Sequence, residues 1–269
     1  MGLCDDIIFL AKAEEVYKET GKKIVPLYHA GLNVLYDNVE FIAKTKDENS
    51  LTMNARDTNE PSDIHIDYYT KGREQTILGE RMIWRPFKPS RYAVRLTESE
   101  IKTASKLVPD NFVLINPDYK SSFFSTNKNW GFKKYQELAN RLSKDIPVVR
   151  VKPAGKYAKR SNYAEPYLEN AINIKGEDLR QSIAIMSKAK FGVTSHGFIT
   201  HILSGFNIPV VDIQGGHTDT SSMYYENNIA IGYDHPKTPC GATYPCTHCD
   251  EANKYITVDM VYEACKKLL

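Results

Sequence analysis

The chain has 269 residues, 42% hydrophobic and 25% charged, with a formal net charge of +2. That length holds one large domain or two small ones, long enough for a sizeable core, and the composition excludes a disordered, fibrous or disulfide-dense chain. The near-neutral balance gives no whole-chain argument for nucleic acid, and no apolar run approaches the ~20 residues that a bilayer span needs.

The first residues, Met1-Gly-Leu-Cys-Asp-Asp6, lack the basic-then-apolar pattern of a signal peptide. Gly2 follows Met1, but Asp6 stands where myristoylation needs Ser or Thr. A cytoplasmic location without a transmembrane segment is expected. Asp5 to Glu19 reads as a helix, with Ile7, Leu10, Ala11, Ala13 and Val16 on one face and Gly21 behind it as a C-cap. Asp5 and Asp6 fall in its first turn, where a carboxylate favours the helix dipole. Either they cap the helix, or one is a general base at the edge of a cleft. Lys23 to Tyr28 is a short strand, and Asn33 to Ile42 carries a second apolar cluster. Lys44 to Asp63 is polar and reads as one long loop. Ile64 to Tyr69 looks like a strand.

Charge then becomes uneven. From Lys71 to Arg95 seven cations, among them Arg81, Arg85, Lys88 and Arg91, face only Glu74 and Glu80, with Trp84, Phe87 and Tyr92 interleaved. This is either a solvated face with aromatics turned inward or a surface for an anionic partner. A helix follows from Thr97 or Ser99 to Leu107, opened by a Thr97/Glu100 capping box. Asn111 to Asn116 is a strongly apolar strand that Pro117 ends, and Tyr119 to Asn129 is a polar loop containing Ser125, Thr126 and Lys128. Gly131 to Ser143 has helical apolar spacing; Pro147 to Val151 is a strand. Arg150, Lys152, Lys156, Lys159 and Arg160 form a second basic cluster around that strand's end. Ala171 to Ile174 is a short strand and Asp178 to Ala189 a helix.

Lys190 to Ile213 is the most informative stretch. It reads as a buried strand (Phe191 to Val193), a polar turn (Thr194-Ser-His-Gly197), a helix (Phe198 to Gly205) and a second buried strand (Val210 to Ile213). That is a parallel βαβ unit, whose ligands sit at the carboxyl ends of the strands. Thr194, Ser195 and His196 precede a helix N-terminus that also carries Thr200 and His201. The hydroxyls either cap the helix, with His201 a satisfied interior residue, or the turn is an anion site fed by free N–H groups. Ile229 to Ile231, a cysteine-bearing loop and a last helix from Thr257 to Leu268 complete the chain. Cys240, Cys246 and Cys249, with His235 and His248, raise the question of zinc; with a single C-x-x-C pair the expectation is reduced thiols and no metal. From Asn111 onward the alternation of strands and helices implies a Rossmann-like parallel sheet, with a weaker version of the rhythm before it.

Four segments in order carry a resemblance to glycosyltransferase family 9, the heptosyltransferase-like enzymes. Gly2-Leu-Cys-Asp-Asp-Ile-Ile8 resembles that family's N-terminal Leu-Gly-Asp loop and helix. Ile115-Asn-Pro117 with Lys128-Asn-Trp-Gly-Phe132, the stretch Ile183 to Ile213, and Pro239-Cys240 through Cys249 to Ile256-Thr-Val258 match its later segments. Cys4 stands where Gly precedes the Asp, Gly131 replaces a Pro, and Thr194-Ser-His-Gly197 replaces the usual Asp-bearing turn. The resemblance implies a GT-B fold: two Rossmann-like domains facing a central cleft, a reduced acceptor-side one at 1–108 and a nucleotide-sugar-binding one at 109–269. It implies an inverting transferase of a hexosyl, heptosyl or pentosyl group, independent of metal and acting as a monomer. Asp5 would be the base, with Asp6 as alternative. Ser125, Lys128, Lys152, Thr194, Ser195, His196, Gly197, Thr200 and His201 would hold the donor, and Arg81, Arg85, Lys88 and Arg91 an anionic acceptor. That acceptor would be a lipopolysaccharide-core-type saccharide or a hydroxymethylated base in phage DNA. The alternative is a non-catalytic nucleotide- or nucleic-acid-binding module.

Overall fold

The computed structural model describes residues 3–27, 34–54, 61–75, 81–118, 123–152 and 167–269, with backbone only at 69, 70, 75 and 123–125. Helix α1 (Leu3–Thr20) opens the chain. Ile7 to Ala11 are all buried, so its N-terminal half is enclosed on every side, more than the single apolar face of the sequence implies. Gly21, at φ 71°, ends it by donating to the Tyr17 carbonyl. Strands β1 (Lys23–Leu27), β2 (Ser50–Asn54) and β3 (Ile64–His65) form a parallel three-stranded sheet in that order. β2 lies inside the stretch expected to be a loop. Its sequence, Ser-Leu-Thr-Met-Asn, shows only two apolar residues, and pairing with β1 supplies what its own pattern does not signal. The strand expected over Ile64 to Tyr69 stops at His65, and 68–72 wind into a π-helical turn.

β4 (Arg73–Gln75) and β5 (Met82–Trp84) make an antiparallel ribbon. Helix α2 (Glu98–Ser105) starts with the expected capping box: the Glu100 N–H donates to Thr97 Oγ1, and the Thr97 N–H donates to Glu100 Oε2 at 2.7 Å.

The second half builds the main sheet. Its elements are β6 (Val113–Asn116), α3 (Phe132–Leu142), β7 (Val148–Lys152), β8 (Ile172–Lys175), α4 (Leu179–Met186), β9 (Phe191–Ser195), α5 (Phe198–Gly205), β10 (Val210–Gly215), β11 (Ile229–Gly232), α6 (Thr247–Tyr255) and α7 (Val258–Lys266). The strand order is β11-β10-β9-β6-β7-β8, all parallel. The order reverses between β6 and β9, which places a switch-point crevice at their carboxyl ends. Successive side chains alternate between faces. Val113, Ile115, Val193, Val211 and Ile213 join the cluster with Leu138 of α3 and Val261 of α7. Leu114, Val149 and Val210 point to the other face and meet Ile183 of α4, Ile202 of α5 and Phe9 of α1. The N-terminal helix thus shares a core with the main sheet. Among the described residues no helix is long and apolar enough to cross a membrane.

The segment between β5 and α2 crosses α5 closely. A Cβ added at Gly205 would lie 2.1 Å from the Tyr92 carbonyl oxygen. Gly205→Ala is therefore expected to cost about 1–3 kcal/mol. An unchanged urea midpoint would argue against this contact.

Candidate active site

The turn after β9 sits at the switch point. Thr194 is buried; its hydroxyl donates to the Ser195 carbonyl at 3.0 Å and lies 3.5 Å from Asn116 Nδ2 on β6. The Ser195 hydroxyl meets the Tyr135 hydroxyl of α3 at 2.9 Å. The Gly197 N–H points to Thr200 Oγ1 at 3.4 Å, and α5 begins immediately after.

Beneath the turn lies a buried polar network centred on Asp212 of β10. Asp212 faces the side of the sheet covered by α5 because its neighbours Val211 and Ile213 face the other. Its Oδ2 accepts from His196 Nδ1 at 2.7 Å and from Gln214 Nε2 at 2.7 Å. Its Oδ1 accepts from the Thr200 hydroxyl at 3.0 Å, and Thr218 donates to Gln214 Oε1 at 2.7 Å. His201 is buried one helical turn on, with Nδ1 2.8 Å from the Tyr225 hydroxyl. Burial, reinforced by His196 and Lys128, holds its pKa well below 6.5. His201 is thus a neutral, interior residue bonded to Tyr225. Thr200 is likewise turned inward to Asp212.

Lys128 ends a 3-10 turn, Phe123–Lys128, beside β10. Its ammonium lies 5.7 Å from the centre of the Trp84 ring. Burial above all lowers its pKa to about 8; Cys4 and Asp212 oppose that shift and Arg73 adds to it. The turn is held by its neighbour Asn127, whose Nδ2 donates to the carbonyls of Ala242 at 3.0 Å and Tyr244 at 2.9 Å.

The N-terminus of α1 approaches from the other end of the chain. Cys4 lies within electrostatic reach of Lys128, Tyr68 and Tyr225. Asp5 is about one-fifth exposed, 4.0 Å from Arg73 Nη2. Asp6 is not at a cleft edge. It is buried and accepts from the Tyr36 hydroxyl at 3.2 Å, and burial together with this carboxylate raises the Tyr36 pKa.

The remaining expected residues are spread out. The side chain of Ser125 lies outside the described residues, as do Lys156, Lys159 and Arg160. Lys152, at the end of β7, packs its ammonium 4.5 Å from the Tyr167 ring centre. Arg81, Arg85, Lys88 and Arg91 do not form one bare cationic face. Arg81 makes a backbone β-bridge to Ala242, while the side chains of Arg85 and Lys88 pair with Glu74 and Glu226, and that of Arg91 with the amides of Asn207 and Asn227. Asp212, Gln214, Tyr225, Arg73 and Trp84 were not singled out as site residues in the sequence. A charged residue inside the apolar run Val210-Val-Asp-Ile213 was the one available signal for Asp212. Cys240, Cys246 and Cys249 come together, their sulfurs all within 4.8 Å of one another.

No protein-family model matches the sequence, and no curated protein matches it. Solved structures match the fold. A glycosyltransferase family 9 protein from Veillonella parvula DSM 2008 aligns over 100% of this chain and 94% of its own, with a TM-score of 0.65 and 12% identity. The ADP-heptose lipopolysaccharide heptosyltransferase II of E. coli aligns over 69% of this chain and 55% of its own, at TM-score 0.47 and 20% identity. The iron-containing dodecameric glycosyltransferase TibC of enterotoxigenic E. coli H10407 aligns over 69% and 49%, at TM-score 0.47 and 18% identity. The chain spans about half the length of these last two. The full-length overlay on the Veillonella protein establishes the shared fold, the GT-B α/β arrangement with a smaller N-terminal sheet.

Lys128 makes stability depend on pH in a defined direction. Its folded pKa of about 8 lies below the ordinary 10.5, so between these values the unfolded chain binds more protons than the fold. Its contribution to stability should therefore rise as pH climbs through that window. Urea titrations of the wild type and Lys128→Met should diverge across this window. Parallel pH profiles would place Lys128 in water.

Proposed function

We propose that the chain is an inverting glycosyltransferase that takes a nucleotide-sugar donor at the β6/β9 switch point and an acceptor hydroxyl beside the N-terminus of α1. One observation carries this reading: the half-buried Lys128 ammonium beside the carboxyl edge of the sheet, with an Asp212-braced helix N-terminus on one side and α1 on the other. The fold likeness to a family 9 protein agrees with it.

In this reading Asp5 removes the proton of the acceptor hydroxyl. The oxygen attacks the anomeric carbon from the face opposite the leaving group, so a new C–O bond forms with inversion as the bond to the nucleotide phosphate breaks. The electron pair leaves with the nucleotide, and negative charge grows on its phosphate. Lys128 and the first N–H groups of α5 stand where such charge is stabilised without reorganisation. Arg73, 4.0 Å from Asp5, orients that carboxylate. Gly197, Ser195 and Thr194 shape the turn; His196 is held by Asp212 and Lys152 flanks the nucleoside side.

A saccharide acceptor of the lipopolysaccharide-core type is favoured over a base in DNA. Arg85 and Lys88 are paired with Glu74 and Glu226, and backbone binding to DNA draws on cations free to replace counterions. The group transferred in this reading is a hexosyl, heptosyl or pentosyl group.

Asp5→Asn should lower turnover by about 100-fold or more while nucleotide-sugar affinity is retained. Lys128→Ala should weaken nucleoside diphosphate binding by about tenfold, measured by calorimetry. Full turnover in Asp5→Asn would move the base elsewhere. Binding of nucleotides without transfer to any of a panel of acceptors would favour a non-catalytic module.

A further inference from the structure

The loop that seats Lys128 has little apolar means of holding its shape. Between β11 and α6, residues 233–246 contain no helix or strand, and Ala242 is the one fully buried apolar side chain from 232 to 248. Yet this loop is tied into the site at several points. Its Ala242 and Tyr244 carbonyls accept from Asn127, next to Lys128. The Gly241 carbonyl accepts from the Met82 N–H of β5 at 2.7 Å, and β5 carries Trp84. Gly241 itself, at φ 61°, leaves no room for a Cβ, which would fall 1.7 Å from the Met82 carbonyl oxygen. A loop held to this tolerance without an apolar core needs another restraint.

Three thiols occupy the middle of it. Cys246 is the N-cap of α6 and Cys249 lies in its first turn, so both sulfurs stand at the helix N-terminus. Cys240 reaches them from the opposite side of the loop. Its sulfur is 3.3 Å from that of Cys249 and 4.0 Å from that of Cys246. A disulfide would bring two sulfurs to about 2.05 Å. Metal–sulfur bonds of about 2.3 Å at tetrahedral angles put sulfurs about 3.8 Å apart, between the two separations seen. Beside Cys240 lies the buried imidazole of His217. The backbone locks the two together: the Cys240 N–H donates to the Gly216 carbonyl at 3.0 Å and the Gly241 N–H to the His217 carbonyl at 3.1 Å. His217 also meets the Trp84 indole edge-on, with ring centres 5.6 Å apart.

We propose that Cys240, Cys246 and Cys249 form a structural site for a thiophilic divalent cation, with His217, beside Cys240 but outside the 4.8 Å cluster, turning in as fourth ligand; the site fixes the 233–249 loop and, through Asn127 and Trp84, seats Lys128. Three thiolates and one imidazole are a ligand set that suits tetrahedral zinc and leaves no open position for substrate. The sequence concealed it because the imidazole lies well before the cysteines and the C-x-x-C pair has no second pair. The site stands whether or not the chain transfers sugar.

Elemental analysis of the full chain, purified without chelator, should find about one zinc or iron per molecule. Cys249→Ser and His217→Ala should lose it, whereas Cys265→Ser, a buried thiol outside the cluster, should keep it. Chelator should lower the melting midpoint of the wild type and make Cys240, Cys246 and Cys249 reactive to thiol reagents, and added zinc should reverse both. Cobalt(II) should give the visible bands of a tetrahedral thiolate complex. A metal-free wild type that takes up neither zinc nor cobalt would overturn the proposal, as would a Cys240–Cys249 disulfide in peptide mapping. Unchanged metal affinity in His217→Ala would overturn the ligand set. Reconstitution of the wild type keeps the test decisive if a variant does not fold.

Discussion

A carboxylate sealed inside a parallel sheet has to be met by donors. Leaving it alone would cost several kcal/mol. Asp212 is nearly inaccessible on β10, and three donors converge on it: His196 from the turn, Thr200 from the first turn of α5, and Gln214 two residues along its own strand. The consequence is geometric. Strand, turn and helix N-terminus are bound to one pair of oxygens, so the N–H groups at the start of α5 are aimed before any ligand arrives. Such preorganisation is what makes a polar site effective in stabilising charge.

Around this hub the fold places cations sparingly. His201 is kept neutral by burial and bonded to Tyr225, and His196 is held to Asp212. Among the described residues, Lys128 brings positive charge to the crevice, with Arg73 in electrostatic reach. A lysine whose pKa is drawn down to about 8 is destabilised as a cation in the unliganded fold, and an anion beside it would relieve that. The same desolvation that costs stability thus favours an anionic ligand. Its mounting is remote: Asn127 is held by the cysteine loop, and Trp84 arrives on a ribbon that the same loop pairs with.

Local signals in the chain served well where the element carries its own chemistry. The Thr97/Glu100 box forms as written, and α5 spans Phe198 to Gly205 as its flanking strand and turn imply. β2 failed that standard because Ser50 to Asn54 become a strand through pairing with β1 rather than through their own pattern. The two carboxylates of α1 look alike in sequence and separate in the fold. Asp5 stays near solvent by Arg73, while Asp6, one residue on and about 100° around the helix, enters the interior with Tyr36.

By itself the sequence determined the strand–helix rhythm of residues 111–232, the polar turn at its centre and the acidic start of the first helix, because propensity, capping and periodicity act over a few residues. Only the tertiary structure decided which polar groups are usable. Burial enclosed His201, Arg85 and Lys88 paired with Glu74 and Glu226, and three cysteines met at one point. Those outcomes depend on desolvation and on contacts between residues apart in the chain, and neither quantity is carried by a local pattern.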